Sequence, residues 1–196
     1  MKKTLSLIVL IFILVPIYSQ VDTSDEDKKV GGFAAILINS KLIENKTALI
    51  VGGGGGFIVK DIRLGVYFEG LASKVSIKDK NDNNNTHRFS VSYGGLWIGY
   101  PLWKTKRIHA LADLKLSIGK TATQRADNLN QDNDYLTYGI SPFLGGEFYI
   151  TYNLAISAGF DYSFFFYPAR PEIYNKNILN TPSFRIGIKL GHFREW

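Results

Sequence analysis

From Phe184 to Leu190 the chain alternates without a break. Phe184, Ile186, Ile188 and Leu190 share one parity, while Arg185, Gly187 and Lys189 share the other. A period of two sends successive side chains to opposite faces of a strand. Such a run predicts a β-strand with one apolar face and one small or charged face. The pattern recurs upstream. Ile108, Ala110, Ala112, Leu114, Leu116 and Ile118 oppose His109, Asp113, Lys115 and Ser117. Leu154, Ile156, Ala158, Phe160, Tyr162, Phe164 and Phe166 oppose Ser157, Gly159, Asp161 and Ser163. Tyr138, Ile140, Leu144, Phe148 and Ile150 oppose Thr137, Ser141 and Glu147; Leu64, Val66 and Phe68 oppose Arg63 and Glu69.

Helical periodicity is almost absent. Eight β-prone segments are predicted: 31–40, 47–59, 62–77, 89–103, 108–122, 135–150, 154–167 and 183–193. Most exceed the usual five or six residues of a globular strand. They suit the roughly 9–11 tilted residues that cross a bilayer. The connections alternate in length. Residues 60–61, 104–107 and 151–153 are tight, whereas 78–88, 123–134 and 168–182 are long and polar, with 41–46 the shortest of the long set. Short turns on one side and longer loops on the other are the signature of an outer-membrane barrel. The predicted fold is all-β: an eight-stranded antiparallel up-and-down transmembrane β-barrel. A soluble eight-stranded barrel of lipocalin type is the alternative.

The two faces separate these readings. A soluble barrel turns its apolar face inward and wets frequent Lys and Glu outside. Here the polar face is largely Gly and Ser with isolated charges, which suits a crowded concave interior, and the large aliphatic and aromatic residues suit lipid. Eight charges share the small-residue face: Arg63, Lys115, Arg185 and Lys189 against Glu69, Asp113, Glu147 and Asp161. An eight-stranded barrel is just wide enough for side chains to fill. Charges enclosed there must be paired. A salt-bridge network plugging the interior is expected, the alternative being an ion or proton path, where one sign would dominate. Among the aromatics, Trp97, Tyr100 and Trp103 are expected at the headgroup level near the periplasmic end of the fourth strand.

The N-terminus reads as a leader. Lys2 and Lys3 precede an apolar run, Leu5–Val15, too short to span a bilayer, then Pro16 and Ser19. Residues 1–19 are expected to be a signal peptide and 20–30 a flexible periplasmic lead-in, leaving 31–196 as the barrel domain. The mature chain, about 176 residues, is one domain's worth. Without Lys2 and Lys3 the formal charge falls from +6 to +4. The basic residues are scattered among acids, so nucleic-acid binding is not expected. There is no cysteine, hence no disulfide, thiolate metal site or lipid-modified cysteine anchor.

Five consecutive glycines, Gly52–Gly56, sit inside an apolar segment. Glycine at 51 or 57 would be needed for a dinucleotide fingerprint, and Val51 and Phe57 stand there. No Gly-Lys-Ser/Thr follows. The run is expected to be a strand stripped of side chains, with Gly52, Gly54 and Gly56 inward, making space for neighbouring large residues. No catalytic, cofactor-binding or metal-binding residue is assigned. Of the three histidines, His87 lies in the second long loop near Ser90 and Ser92, and reads as solvated; His109 and His192 lie at the periplasmic end. The loop at 168–182 carries apolar Ile173, Tyr174, Ile178 and Leu179, which either dock a ligand or fold over the barrel mouth.

The segments VGGGGGFIV, YGGLWIGY, SPFLGGEFYIT and FRIGIKLGHF resemble those of small eight-stranded outer-membrane β-barrels of Gram-negative bacteria, a largely uncharacterised group. The resemblance implies insertion in the bacterial outer membrane, with outer-membrane lipid and the barrel-assembly machinery as partners. It supplies no catalytic residues. It also implies an aromatic end to the last strand; Phe193 ends the pattern here and Arg194, Glu195 and Trp196 follow. The function expected is structural or surface interaction, with an extracellular ligand at 78–88, 123–134 or 168–182. The alternatives are a narrow pore for ions or small solutes and a lipid-modifying enzyme.

Overall fold

The computed structural model describes residues 30–44, 46–78, 86–125, 132–168, 175, 177–191 and 193. The expected leader, and the lead-in up to residue 29, lie outside the described residues. Ten strands follow in order: β1 (Val30–Ile43), β2 (Lys46–Val59), β3 (Ile62–Leu71), β4 (Val75–Lys78), β5 (Thr86–Lys104), β6 (Ile108–Arg125), β7 (Asp132–Thr151), β8 (Leu154–Tyr162), β9 (Phe164–Phe166) and β10 (Pro182–Gly191).

These ten make eight staves. β3 and β4 both pair with β5, and β8 and β9 both pair with β7. The first interruption, at Ala72–Lys74, stays tied to its neighbour: the N–H groups of Ala72 and Ser73 donate to Leu49 O, and Leu49 N–H donates to Ser73 Oγ at 2.9 Å. Side-chain parity carries across both interruptions, so each stave keeps one inner face. All pairings are antiparallel, and the β3–β5 and β1–β10 ladders close the ring. Closure pairs both edges of the long strands, which a membrane demands, while the short β4 and β9 pair on one edge only.

The alternation written in the sequence sets the faces. Phe184, Ile186, Ile188 and Leu190 point outward and are exposed, while Ser183, Arg185 and Lys189 point inward and are buried. The same holds around the ring. On β6 the outward apolar run from Ile108 to Ile118 is ten steps, about 25 Å of height at the usual rise and a tilt of about 40°. That is the thickness of the hydrocarbon band such barrels present. Immediately above it Lys120 faces outward and pairs with Asp134 at 3.6 Å. On β5 the outward face likewise turns from Leu96, Ile98 and Tyr100 to Ser92, Ser90 and Arg88.

The strands run further outward than the sequence pattern suggests. Residues 123–125 and 132–134 are strand, not loop, and β5 begins at Thr86. The connection read at 41–46 shrinks, since β1 runs to Ile43 and β2 starts at Lys46, and Glu44 takes a left-handed φ of 48°. Lys41 therefore belongs to β1. On the other side the turn at Lys60–Asp61 uses a φ of 57° at Lys60. Pro101 lacks the N–H a ladder needs, and the β5–β6 register slips between Pro101 and Trp103.

Candidate functional site

Interior-facing side chains form the candidate site, and they stack in tiers. Nearest the periplasmic turns, Arg63 enters from β3 and Glu147 from β7, with the two staves β5 and β6 between them. Arg63 Nη1 donates to Glu147 Oε2 at 2.7 Å, and Nη2 to Oε1 at 2.5 Å and to the Tyr149 hydroxyl at 2.8 Å. The Tyr149 hydroxyl in turn donates to Glu147. Lys189 Nζ, from β10, donates to Glu147 Oε2 at 2.6 Å. One carboxylate thus holds two cations and a phenol. A bidentate guanidinium–carboxylate pair fixes direction as well as distance.

The next tier crosses the barrel again. Arg185 Nη2 donates to Asp113 Oδ2 at 2.8 Å, with its guanidinium carbon 3.6 Å from the centre of the Phe143 ring. Lys115 donates to Glu69. Trp97 stands between two ammonium groups, 5.5 Å from Lys115 Nζ and 5.4 Å from Lys189 Nζ, and is 1% exposed. Lys115 Nζ also lies 4.5 Å from the centre of the Tyr67 ring. An aromatic face attracts a desolvated cation, so rings fill the volume between the ion pairs without adding charge. Higher still, the Ser183 hydroxyl donates to Asp161. Lys41 shares this level, inward and buried.

Above the charges the interior turns mainly apolar, with His87, Thr121 and Thr123 among its buried polar residues. Ile43, Ile50, Val75, Ile77, Phe89 and Phe165 are buried there. Ile178 and Leu179 join that cluster, so these two residues fold over the mouth instead of standing in solvent. The segment carrying them is pinned: Phe165 N–H donates to Asn180 Oδ1 at 2.6 Å, Tyr162 OH to Asn180 O at 3.0 Å, and Thr181 Oγ1 to Leu42 O at 3.1 Å. Ile173 and Tyr174 lie outside the described residues. At the opposite end Tyr149 packs against Phe193, with ring centres 5.4 Å apart, and against His109 at 4.6 Å.

The closed ring of eight antiparallel staves has counterparts of known structure. Neisserial surface protein A is similar at a TM-score of 0.56 and 13% identity, over 84% of this chain and 97% of that one. The fold is that of the small outer-membrane β-barrels. The N-terminal barrel domain of OprF from Pseudomonas aeruginosa matches at 0.52 and 14% identity, over 81% of this chain and 96% of that one. A major outer membrane protein of Thermus thermophilus matches at 0.51 and 9%, over 83% and 99%. No family model matches the chain, and no curated relative does.

The eight charges singled out in the sequence all lie inward and buried: Arg63, Glu69, Asp113, Lys115, Glu147, Asp161, Arg185 and Lys189. A ninth buried charge, Lys41, lies on β1 and not in the connection expected at 41–46. The described interior therefore holds five cations and four anions, not four of each, apart from its histidines. Two ring assignments also change, those of Trp97 and His87. Trp97 is no headgroup anchor: it shares the parity of Tyr93 and Gly99, and fills the lumen with Tyr67 and Tyr93. Tyr100 and Trp103 do face outward at the periplasmic end, 50% and 64% exposed. His87 is not a solvated loop residue. It lies on β5 facing inward and buried, while Ser90 and Ser92 of the same strand face outward, so the three do not converge. Phe193 turns inward, against Tyr149, and does not continue the lipid-facing row.

The glycine run lies in β2 with Gly52, Gly54 and Gly56 on the inner parity. Gly52 and Gly54 sit beside Glu69 and Tyr67 of β3, and Gly56 beside the backbone of Leu64 and Gly65. A Cβ on Gly54 would stand 2.5 Å from Val66 O and 2.9 Å from Tyr67 Cβ; one on Gly52 would meet Phe68 O at 2.1 Å. The space they free is thus taken by the β3 backbone itself as well as by its side chains. The register shows the wider rule. Tyr67 pairs with Gly54 and Gly95, Phe33 with Gly56 and Gly191, and Trp97 with Gly65. Large interior rings sit beside glycines on neighbouring staves, which lets a narrow barrel close over them.

Proposed function

We propose that this chain is a closed barrel of the bacterial outer membrane, serving a structural or surface-interaction role and not a solute pathway. One observation carries the reading. Seven of the nine buried charges are tied to each other across the lumen, and among the described residues a cavity bordered by every stave, from Asn39 and Lys41 to Ser183, measures only about 10 Å³. A lumen filled by paired charges and rings offers no continuous water column. The apolar cluster beneath Ile178 and Leu179 adds a second barrier at the outer mouth.

The parts free to meet a partner are then the outward belt and the outer connections. The belt would meet outer-membrane lipid, and the strand ends would be read by the barrel-assembly machinery. An extracellular ligand would be taken at 78–88, 123–134 or 168–182. Most of those connections fall outside the described residues, namely 79–85, 126–131, 169–174 and 176.

Recording in planar bilayers tests the closed interior. Purified protein inserted at high salt is expected to give no unitary steps. Regular ohmic steps that scale with the number of inserted barrels would replace this reading with the pore.

A further inference from the structure

Lys41 is a buried cation, 2% exposed, whose ammonium has no ion pair or hydrogen bond among the described residues. Its one close partner is the Phe165 ring, 5.3 Å from Nζ. An isolated buried charge is too costly to leave so. The register places the nearest compensation. Lys41 pairs with Ser183, and Ser183 with Asp161, so the three lie in one row across β1, β10 and β8. Asp161 is therefore two staves away, roughly 10 Å between backbones.

A cavity of about 10 Å³ fills the gap. Its lining includes Lys41, Asp161, Ser183, Ser163 and Asn39. Asn39 is 4% exposed, and its Oδ1 is buried without a hydrogen-bond partner. The volume is near the minimum for one water, and the walls supply the two to four polar partners a water needs. Its charge surroundings select a neutral guest. Asp161 and Glu69 would repel an anion, and Lys41 and Lys115 would repel a cation.

We propose that a single internal water occupies this cavity and bridges Lys41 to Asp161. It accepts from Lys41 Nζ–H and donates one hydrogen to the Asp161 carboxylate and the other to Asn39 Oδ1. The fifth interior cation is then paired through water where the other four are paired directly, and the orphan acceptor is satisfied. The inference rests on the closed interior proposed above. Conductance would count against that reading first, whereas the water is tested by its own density.

A high-resolution structure of the wild-type protein in lipid is the first test. One ordered water within about 2.7–3.2 Å of Lys41 Nζ, of an Asp161 carboxylate oxygen and of Asn39 Oδ1 supports the bridge; a water that does not reach Asp161 overturns it. An empty cavity, a bound ion, or a direct Lys41–Asp161 contact overturns it. The second test is a double-mutant cycle of Lys41→Met and Asp161→Asn, read by equilibrium unfolding in lipid vesicles. The double variant is expected to depart by at least about threefold in unfolding constant from the product of the single effects. Simple multiplicativity of the two effects would overturn the pairing.

Discussion

Arg63 and Glu147 close a two-bonded pair across the lumen, 2.7 Å on one side of the guanidinium and 2.5 Å on the other. The carboxylate also serves Lys189 at 2.6 Å. Glu147→Ala therefore strands two buried cations at once. The expected loss is about 3–5 kcal/mol, the usual cost of breaking a buried pair from one side. Urea titration in lipid vesicles reads it. Glu147→Gln keeps hydrogen-bond capacity and should lose less. Unchanged unfolding of Glu147→Ala would mean that the network holds nothing.

The middle tier predicts coupling between distant strands. Arg185 on β10 and Asp113 on β6 are separated by two staves, yet meet at 2.8 Å. Arg185→Ala and Asp113→Ala should each destabilise the barrel. The double variant should be less damaged than the sum, with a coupling of about 0.5–3 kcal/mol. Additive losses would place the two side chains apart.

Trp97 offers an optical reading of the plug. The chain has three tryptophans. With Trp103 and Trp196 replaced by Phe, the remaining emission comes from a ring that is 1% exposed between Lys115 and Lys189. Iodide and acrylamide should barely quench it in the folded protein and should quench it strongly after unfolding. Ready iodide quenching of the folded form would show an open lumen.

The glycine run predicts an assembly defect, not a functional one. In Gly54→Leu the new Cβ meets Val66 O and Tyr67 Cβ at 2.5 and 2.9 Å before the rest of the side chain is placed. Backbone must move, so the fraction that reaches the heat-modifiable, compact form on a gel should fall sharply. Normal assembly of this variant would mean that the strand tolerates side chains and that its glycines have another reason.

What the sequence made legible follows from how each feature is encoded. Facing is a local property: parity alone sorts Arg185 from Ile186, and it puts the eight charges on the face whose residues are buried. Trp97 and His87 were within reach of the same rule, since they share the parity of Tyr93 and Phe89 on β5, but their residue types drew attention to interfaces and solvent. Lys41 was hidden for a different reason. Its strand continues past the apolar run to Ile43, and a Lys beside other polar residues looks like loop. Pairing was not legible at all. Arg63 meets Glu147 and Arg185 meets Asp113 only because strand stagger and ring closure bring distant staves to one height, and no local pattern records that stagger. The outer connections carry few constraints in the sequence, so any ligand they take stays a proposal.

A plugged outer-membrane barrel requires that one face of each stave meet lipid and that the other be shut off from water. The chain has no cysteine, so single replacements on β8 report cleanly. Ile156 and Ala158 point outward, and Ser157 between them points into the lumen at 3% exposure. In folded protein in vesicles, spin labels at Ile156→Cys and Ala158→Cys should collide with oxygen and not with a water-soluble nickel complex, while Ser157→Cys should resist a water-soluble maleimide until the barrel is unfolded. Rapid modification of Ser157→Cys in the folded barrel would contradict the plugged interior outright.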